Sequence, residues 1–280
     1  MASYSEERFD LRGIETVVQI AGDGDPLVFL HGAGTTTGFD ALLPLAERFR
    51  LIVPFHPGFG PSADDTTVDD IHDYRRHYLD LFDELGLEEM ALAGHSMGGW
   101  LAANFAADHT ERVTRLVLAA PFGMRVEEHP TTDFLAIPGD QLPPYLTADM
   151  SIFEGHVPMP PTPEFLADRY RESTSAARLM WTRPYDLKLH RWLHRLRMPT
   201  LILWGDADRL IPVEQAAVWA DLIPEAEVKT LSGVVTVPSQ CHDAHKCAQS
   251  AHRGGRGVRP SAPRPRSCRA RRRPRDSRRT

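Results

Sequence analysis

The hexapeptide Gly94-His95-Ser96-Met97-Gly98-Gly99 holds the residue types for nucleophilic attack on a carbonyl carbon. A short apolar run, Met90-Ala91-Leu92-Ala93, precedes it, and an alanine-rich segment that reads as a helix, Trp100 to Ala107, follows. Strand, G-x-S-x-G, helix is the context in which a sharp turn lifts a serine hydroxyl above a sheet. Glycine at 94 and 98 makes room for that turn by removing Cβ atoms that would clash. The N–H of Met97 then points to where an oxyanion would form. A bare G-x-S-x-G string is equally compatible with an ordinary glycine turn; the flanks here argue against that.

A serine hydroxyl is a weak nucleophile at neutral pH. It needs an adjacent base, usually histidine, and a carboxylate that fixes the histidine's tautomer and offsets its charge. Asp206 and Asp208 compete for the place of the carboxylate, both lying in the turn after Thr200-Leu201-Ile202-Leu203-Trp204-Gly205. Turn-forming preference alone explains an aspartate at such a place, so each has a structural alternative.

Taken together, these segments resemble the α/β-hydrolase family. Leu27 to Gly34, containing His31-Gly32-Ala33-Gly34, is similar to the strand and loop of the second oxyanion donor, which the resemblance places at Ala33. Phe55 to Ser62 resembles the family's P-G-x-G-x-S loop. Gly205 to Pro212 resembles its acid turn, G-x-x-D-x-x-x-P, and that pattern selects Asp208 over Asp206. The implied fold is α/β: a mostly parallel central sheet with helices on both faces and an inserted helical cap. The resemblance implies Ser96 as nucleophile, Asp208 as acid, N–H groups of Ala33 and Met97 as the oxyanion hole, and His31 and His95 as pocket-lining residues. It implies neither a metal nor a cofactor.

The elements that must position these groups are legible as patterns. Gly13 to Ile20 alternates as a strand does. Leu27 to Leu30, Leu51 to Val53 and Val113 to Ala119 are apolar runs suited to strands buried on both faces. Ala226 to Leu231 is the last expected strand. Thr67-Val68-Asp69-Asp70 has capping-box spacing, and Ile71, Tyr74, Tyr78, Leu81, Phe82 and Leu85 then recur at helical intervals until Gly86. Strands alternating with helices imply a parallel sheet whose site lies at the strands' carboxyl ends. His31, Ser96 and Asp208 all follow expected strands.

Residues 123–197 break the alternation. They are proline-rich and then helical, over Glu164 to Met180 and Asp186 to Leu196. A cap domain is expected there, between a first core part over 1–122 and a second over 198–233. Phe134, Leu135, Ile137, Phe153, Met159, Met180 and Trp181 would be an unusual set to expose unless they covered something.

Residues 234–280 differ in kind. They hold 13 of the 32 basic residues, 2 of the 38 acidic ones and all three cysteines, so the net charge of −6 divides into −17 before Val234 and +11 after. The family's pattern after the last strand is roughly G-x-G-H followed by an amphipathic helix. Here Gly233 is followed by Val234-Val235-Thr236, which puts Thr236 at the base, and an arginine–proline run follows. A reading-frame change near codon 234 accounts for the charge break, the clustered cysteines and the lost helix. Valine codons begin GT and threonine codons AC, so a one-base shift allows Gly-His at this point. A disordered tail is expected. Cys241, His242, His245 and Cys247 lack the paired spacing of a zinc site. The arginine run has no interleaved aromatic residues for stacking on nucleic acid. His242, His245 and His252 have no evident means of being held against Ser96. His190 and His194 read as a solvated helix face.

The composition, 42% hydrophobic and 25% charged, is that of a soluble globular protein. No apolar stretch approaches the roughly 20 residues that span a bilayer. The N-terminus has no basic region followed by an apolar one, so a cytoplasmic protein is expected. The expected partner is a small-molecule substrate, with no nucleic acid and no membrane. The function that follows is a serine hydrolase acting on a small-molecule ester. A carbon–carbon bond hydrolase of ring-cleavage products is the alternative, supported by Leu193-His194-Arg195-Leu196 leading into Pro199 to Gly205; His95 stands where that branch usually has asparagine. A ligand-binding protein that has lost its base is a third reading.

Overall fold

The computed structural model describes residues 2–235 except Ala148, Glu154 and Thr182. Thr236, the three cysteines and the histidines at 242, 245 and 252 lie outside the described residues, as do the expectations attached to them.

The chain begins as a hairpin of β1 (Ser5–Leu11) and β2 (Ile14–Ala21). Its turn is Arg12-Gly13, with φ of 56° and 92°. Positive φ at both central residues matches the twist of two-residue hairpins. The pattern over Gly13 to Ile20 thus marks β2, whereas β1, with its mostly exposed Ser-Glu-Glu-Arg start, carries no strand signal in the sequence. There follow β3 (Asp25–Leu30), β4 (Phe49–Pro54), α1 (Ile71–Glu84), β5 (Met90–His95), α2 (Met97–Asp108) and β6 (Val113–Ala119). The strand order is β1-β2-β4-β3-β5-β6-β7-β8, where β7 is Thr200–Gly205 and β8 is Ala226–Leu231, and α6 (Gln215–Leu222) joins the last two. The β1–β2 and β2–β4 pairs are antiparallel, and the rest are parallel.

The runs in β3 and β4 are buried as expected, whereas β6 leaves Thr114 and Arg115 exposed and Val117 half-buried. Leu51, Ile52 and Val53 are fully buried, with Ile52 in one core layer and Leu51 and Val53 in the other. The larger layer holds α1, α2 and α6, and Tyr74, Tyr78, Leu81 and Phe82 supply α1's buried stripe. On the opposite face, β6 to β8 carry a small cluster of Ala119 and Leu203, with Val117, Leu201, Leu231 and Val234 only partly buried around them.

Two local expectations need correction. The N-cap of α1 is Asp70, not Thr67: the Asp70 carboxylate accepts from the N–H groups of His72 and Asp73, while Thr67 bonds to Asp65. A carboxylate that satisfies two free amides at once is the better cap. The helix expected over Asp186 to Leu196 shrinks to α5 (Leu189–Trp192) and a 3-10 turn over Leu193–Arg195. Leu189, Leu193 and Leu196 reach the core without a longer helix.

Between β6 and β7 the chain makes its excursion, with α3 (Pro143–Leu146) and α4 (Pro163–Met180) before α5. Of the apolar residues expected to cover something there, Met180 is buried and Phe134 and Phe153 line a cavity, but Met159 and Trp181 are 84% and 82% exposed. Apolar type does not by itself decide which side of a layer a residue takes. Among the described residues, no helix is long and apolar enough to cross a membrane.

Candidate active site

Ser96 sits directly after β5 and N-caps α2 with φ 50° and ψ −115°. That backbone is strained for a residue with a side chain and persists only where its surroundings enforce it. Here they do. The Ser96 N–H donates to the Ala119 carbonyl at 2.9 Å, and its own carbonyl accepts from Trp100 and Phe122. The two motif glycines are required by contact: a Cβ on Gly94 would lie 2.2 Å from the Gly98 oxygen, and one on Gly98 would lie 2.0 Å from the Leu30 oxygen. The tight strand-to-helix turn is therefore pressed against the end of β3.

The loop after β3 faces it. A Cβ on Gly32 would lie 3.5 Å from that of Ser96 and 3.0 Å from His95 Nδ1. Ala33 is half-buried beside it, and Met97 is fully buried at the start of α2. Among the described residues, no turn, loop or cap bond engages the N–H of either. Ser96, His31, His95, Gly32 and Ala33 line one cavity of about 200 Å³. Its other walls are mostly apolar: Phe29, Phe39 and Leu42 from the body, Phe134, Leu142, Leu146 and Phe153 from the excursion, and Leu210 from the turn after β7.

The two aspartates of that turn differ. Asp206 is exposed and accepts from the Gly233 N–H at 2.7 Å, fastening the turn after β8. Asp208 is half-buried, and its Oδ1 accepts from the N–H groups of Leu210 and Ile211 at 2.9 and 2.8 Å. Burial pushes the Asp208 carboxyl up to about 6 from the ordinary 3.8, against the pull of those two bonds. The folded form therefore takes up a proton that the unfolded form releases between pH 4 and 6, and stability falls as pH rises through that window. Asp208→Asn keeps the shape and removes the charge. It should raise the melting temperature at pH 8, by the equivalent of on the order of 1–3 kcal/mol, with the gain fading below pH 4. Paired melts of the two proteins check this; a gain independent of pH would mean that charge burial is not its source.

The histidines near the site are held in structural bonds. His31 is buried, its Nδ1 2.7 Å from the Gly32 carbonyl, and its Nε2 accepts from the His56 N–H at 3.1 Å. With Nδ1 as donor and Nε2 as acceptor, both nitrogens are used. Burial pushes His31 down to about 4. His56 donates from Nε2 to the His31 carbonyl and meets the Tyr78 hydroxyl at Nδ1. Burial holds it well below the ordinary value too. His95 lines the cavity, and burial, reinforced by His31, pushes it to about 3. Among the described residues, no histidine is hydrogen-bonded to Ser96 or Asp208. The end of the described chain lies against the turn after β7: the Ala207 N–H donates to the Val234 carbonyl at 3.1 Å. Sequence reasoning missed the His31–His56–Tyr78 chain, because histidines from two loops and a tyrosine from α1 share no pattern along the chain.

Residues 25–190 match the sequence model of the alpha/beta hydrolase fold. The chain is 28% identical over 244 residues to 2-hydroxy-6-oxo-6-(2'-aminophenyl)hexa-2,4-dienoic acid hydrolase of Metapseudomonas resinovorans, covering 80% of this chain and 82% of that one. Among solved structures it is similar to a serine hydrolase involved in carbazole degradation, CarC, with a TM-score of 0.73, 23% identity and coverage of 90% and 98%. It is also similar to naproxen esterase from Bacillus subtilis, with a TM-score of 0.69, 19% identity and coverage of 90% and 92%.

Proposed function

The chain belongs to the α/β-hydrolase fold family, and on that premise we propose that its site is built for serine hydrolysis of a small-molecule ester. The observation that carries this reading is the strained Ser96, held by its neighbours at the wall of a largely apolar cavity and facing the Gly32-Ala33 loop. Ser96 is the nucleophile. The N–H groups of Met97 and Ala33 receive the oxyanion, and preorganised donors of this kind contribute about 10²–10³ in rate each. Asp208 is the acid, since its half-buried carboxylate has one oxygen already held by backbone amides and Asp206 is engaged elsewhere. The excursion between β6 and β7 acts as the cap, closing the cavity with Phe134, Leu142, Leu146 and Phe153.

An ester with an apolar acyl group suits these walls. The carbon–carbon reading is favoured by the Metapseudomonas relative, whose name specifies a dienoic acid. Turnover separates the two: aryl esters of increasing acyl length against a ring-cleavage dienoic acid. Exclusive turnover of the dienoic acid would overturn the ester reading. Binding without turnover of either would make the chain a ligand-binding relative.

Among the described residues, the base is the unfilled role. Thr236 stands at its place in the family's pattern. We infer slow turnover for the chain as written. An aryl fluorophosphonate should still modify Ser96 in preference to the other serines, as located by peptide mass mapping. Modification elsewhere, with Ser96 untouched, would remove it from the mechanism.

A further inference from the structure

Helix α4 is fastened to the body by a buried carboxylate. Glu172 is 2% exposed, in the middle of the helix. Its Oε2 accepts from the Thr35 N–H at 3.1 Å, and its Oε1 accepts from the Thr35 hydroxyl and from the Gly60 N–H at 3.0 Å. Arg169, one turn earlier, donates to both oxygens at 2.6 and 2.9 Å and also to the Thr36 hydroxyl. Among the described residues, every hydrogen-bond partner of this carboxylate is a donor. The contact is close along the rest of the helix: Arg178 pairs with Asp64, and a Cβ on Gly58 would lie 2.1 Å from Ser175 Oγ. α4 is thus bound to the loops after β3 and β4.

We propose that Glu172 is a positioning residue for the oxyanion-hole loop: by holding the backbone and hydroxyl of Thr35, it fixes Ala33, two residues earlier, against Ser96. The inference rests on the serine-hydrolase reading for its function, and on the hydrogen bonds alone for its structure. The loop needs such an anchor. Gly32 and Gly34 give it little conformational preference of its own, and an oxyanion donor stabilises charge only if it is preorganised. The charge matters as well as the shape, because a glutamine would turn an N–H₂ toward N–H donors.

The test uses the full chain, Glu172→Gln, and Thr35→Val as a milder variant that leaves the carboxylate paired with Arg169 and Gly60. Two properties are measured. The first is amide exchange over residues 31–38, with β5 as internal reference. The second is affinity for an arylboronic acid, whose boron takes an electron pair from the Ser96 oxygen as the hydroxyl proton passes to solvent, compared with affinity for a neutral aryl ketone of the same shape. In Glu172→Gln, loop exchange should quicken by about tenfold or more while β5 is unchanged. The boronate should weaken by about tenfold or more and the ketone by less than about threefold. Thr35→Val should move both in the same direction by less. Unchanged loop exchange in both variants overturns the proposal, as does equal weakening of boronate and ketone, which would reduce Glu172 to a packing role. If the unaltered protein takes no boronate, the serine-hydrolase reading fails, and loop exchange alone decides the tie: faster supports it, unchanged overturns it.

Discussion

Replacing the end of the chain with a family-like one, through Val235→Gly, Thr236→His and an amphipathic helix in place of the arginine–proline run, should raise ester hydrolysis by on the order of 10³-fold or more. The reason, on the proposed serine-hydrolase reading, is that no histidine among the described residues is bonded to Ser96 or Asp208. Val234 already lies against the turn that carries Asp208, bonded through its carbonyl to Ala207, and Gly233 is bonded to Asp206. Residue 236 is two steps further on, within roughly 7–8 Å of chain. A histidine there can meet Asp208, whose half-buried carboxylate is paired with no cation among the described residues, and can take the proton from Ser96. The carboxyl should fall from about 6 once an imidazolium faces it. The added helix should also raise the melting temperature by covering Val117, Leu201 and Leu231 on the second face of the sheet. Steady-state rates on an aryl ester and a thermal melt check both. A gain in melting temperature without a gain in rate would mean that the base enters from elsewhere. The frame-change account also requires Gly-His and a helical sequence in another frame of the coding DNA at this point.

Within that completed chain, Ser96→Ala should return the rate to that of the chain as written, or below it. Asp208→Asn should lose on the order of 10³–10⁴, and Asp206→Asn no more than a few-fold. The contrast between the aspartates follows from their bonds. Asp206 ties one turn to another at the surface, whereas the half-buried Asp208 has one oxygen held by two backbone amides and is the proposed partner of the imidazole. In the chain as written the same substitutions should change the rate little, because triad members act as a unit and the loss of one already removes most of the effect. Equal losses for the two aspartates in the completed chain would reject Asp208 as the acid. A large loss from Asp208→Asn in the uncompleted chain would show that a base is already at work.

Much of the fold was legible in the sequence because its signals are local. The apolar runs of β3, β4, β6 and β7 and the 3.6-residue stripe of α1 need no partner to be recognised. The G-x-S-x-G turn was legible for a related reason: only glycine tolerates the contacts at 94 and 98, so the geometry is written in residue type. The pattern G-x-x-D-x-x-x-P named Asp208, though nothing local to the chain distinguishes it from Asp206. Tertiary structure gives the two different surroundings: Asp208 is half-buried, and Asp206 is exposed and bonded to Gly233.

What no window of sequence contains is the pairing of distant polar groups. Glu172 lies 137 residues from Thr35 and 112 from Gly60, and it looks like any solvent-facing glutamate of an amphipathic helix until the loops are seen against it. His31, His56 and Tyr78 likewise become one hydrogen-bonded chain only in the folded protein. Apolar burial depends on residue type and period, which the sequence states. Buried polar groups depend on which donor meets which acceptor, and a hydrogen bond's direction and length are decided only when the whole fold brings the two together.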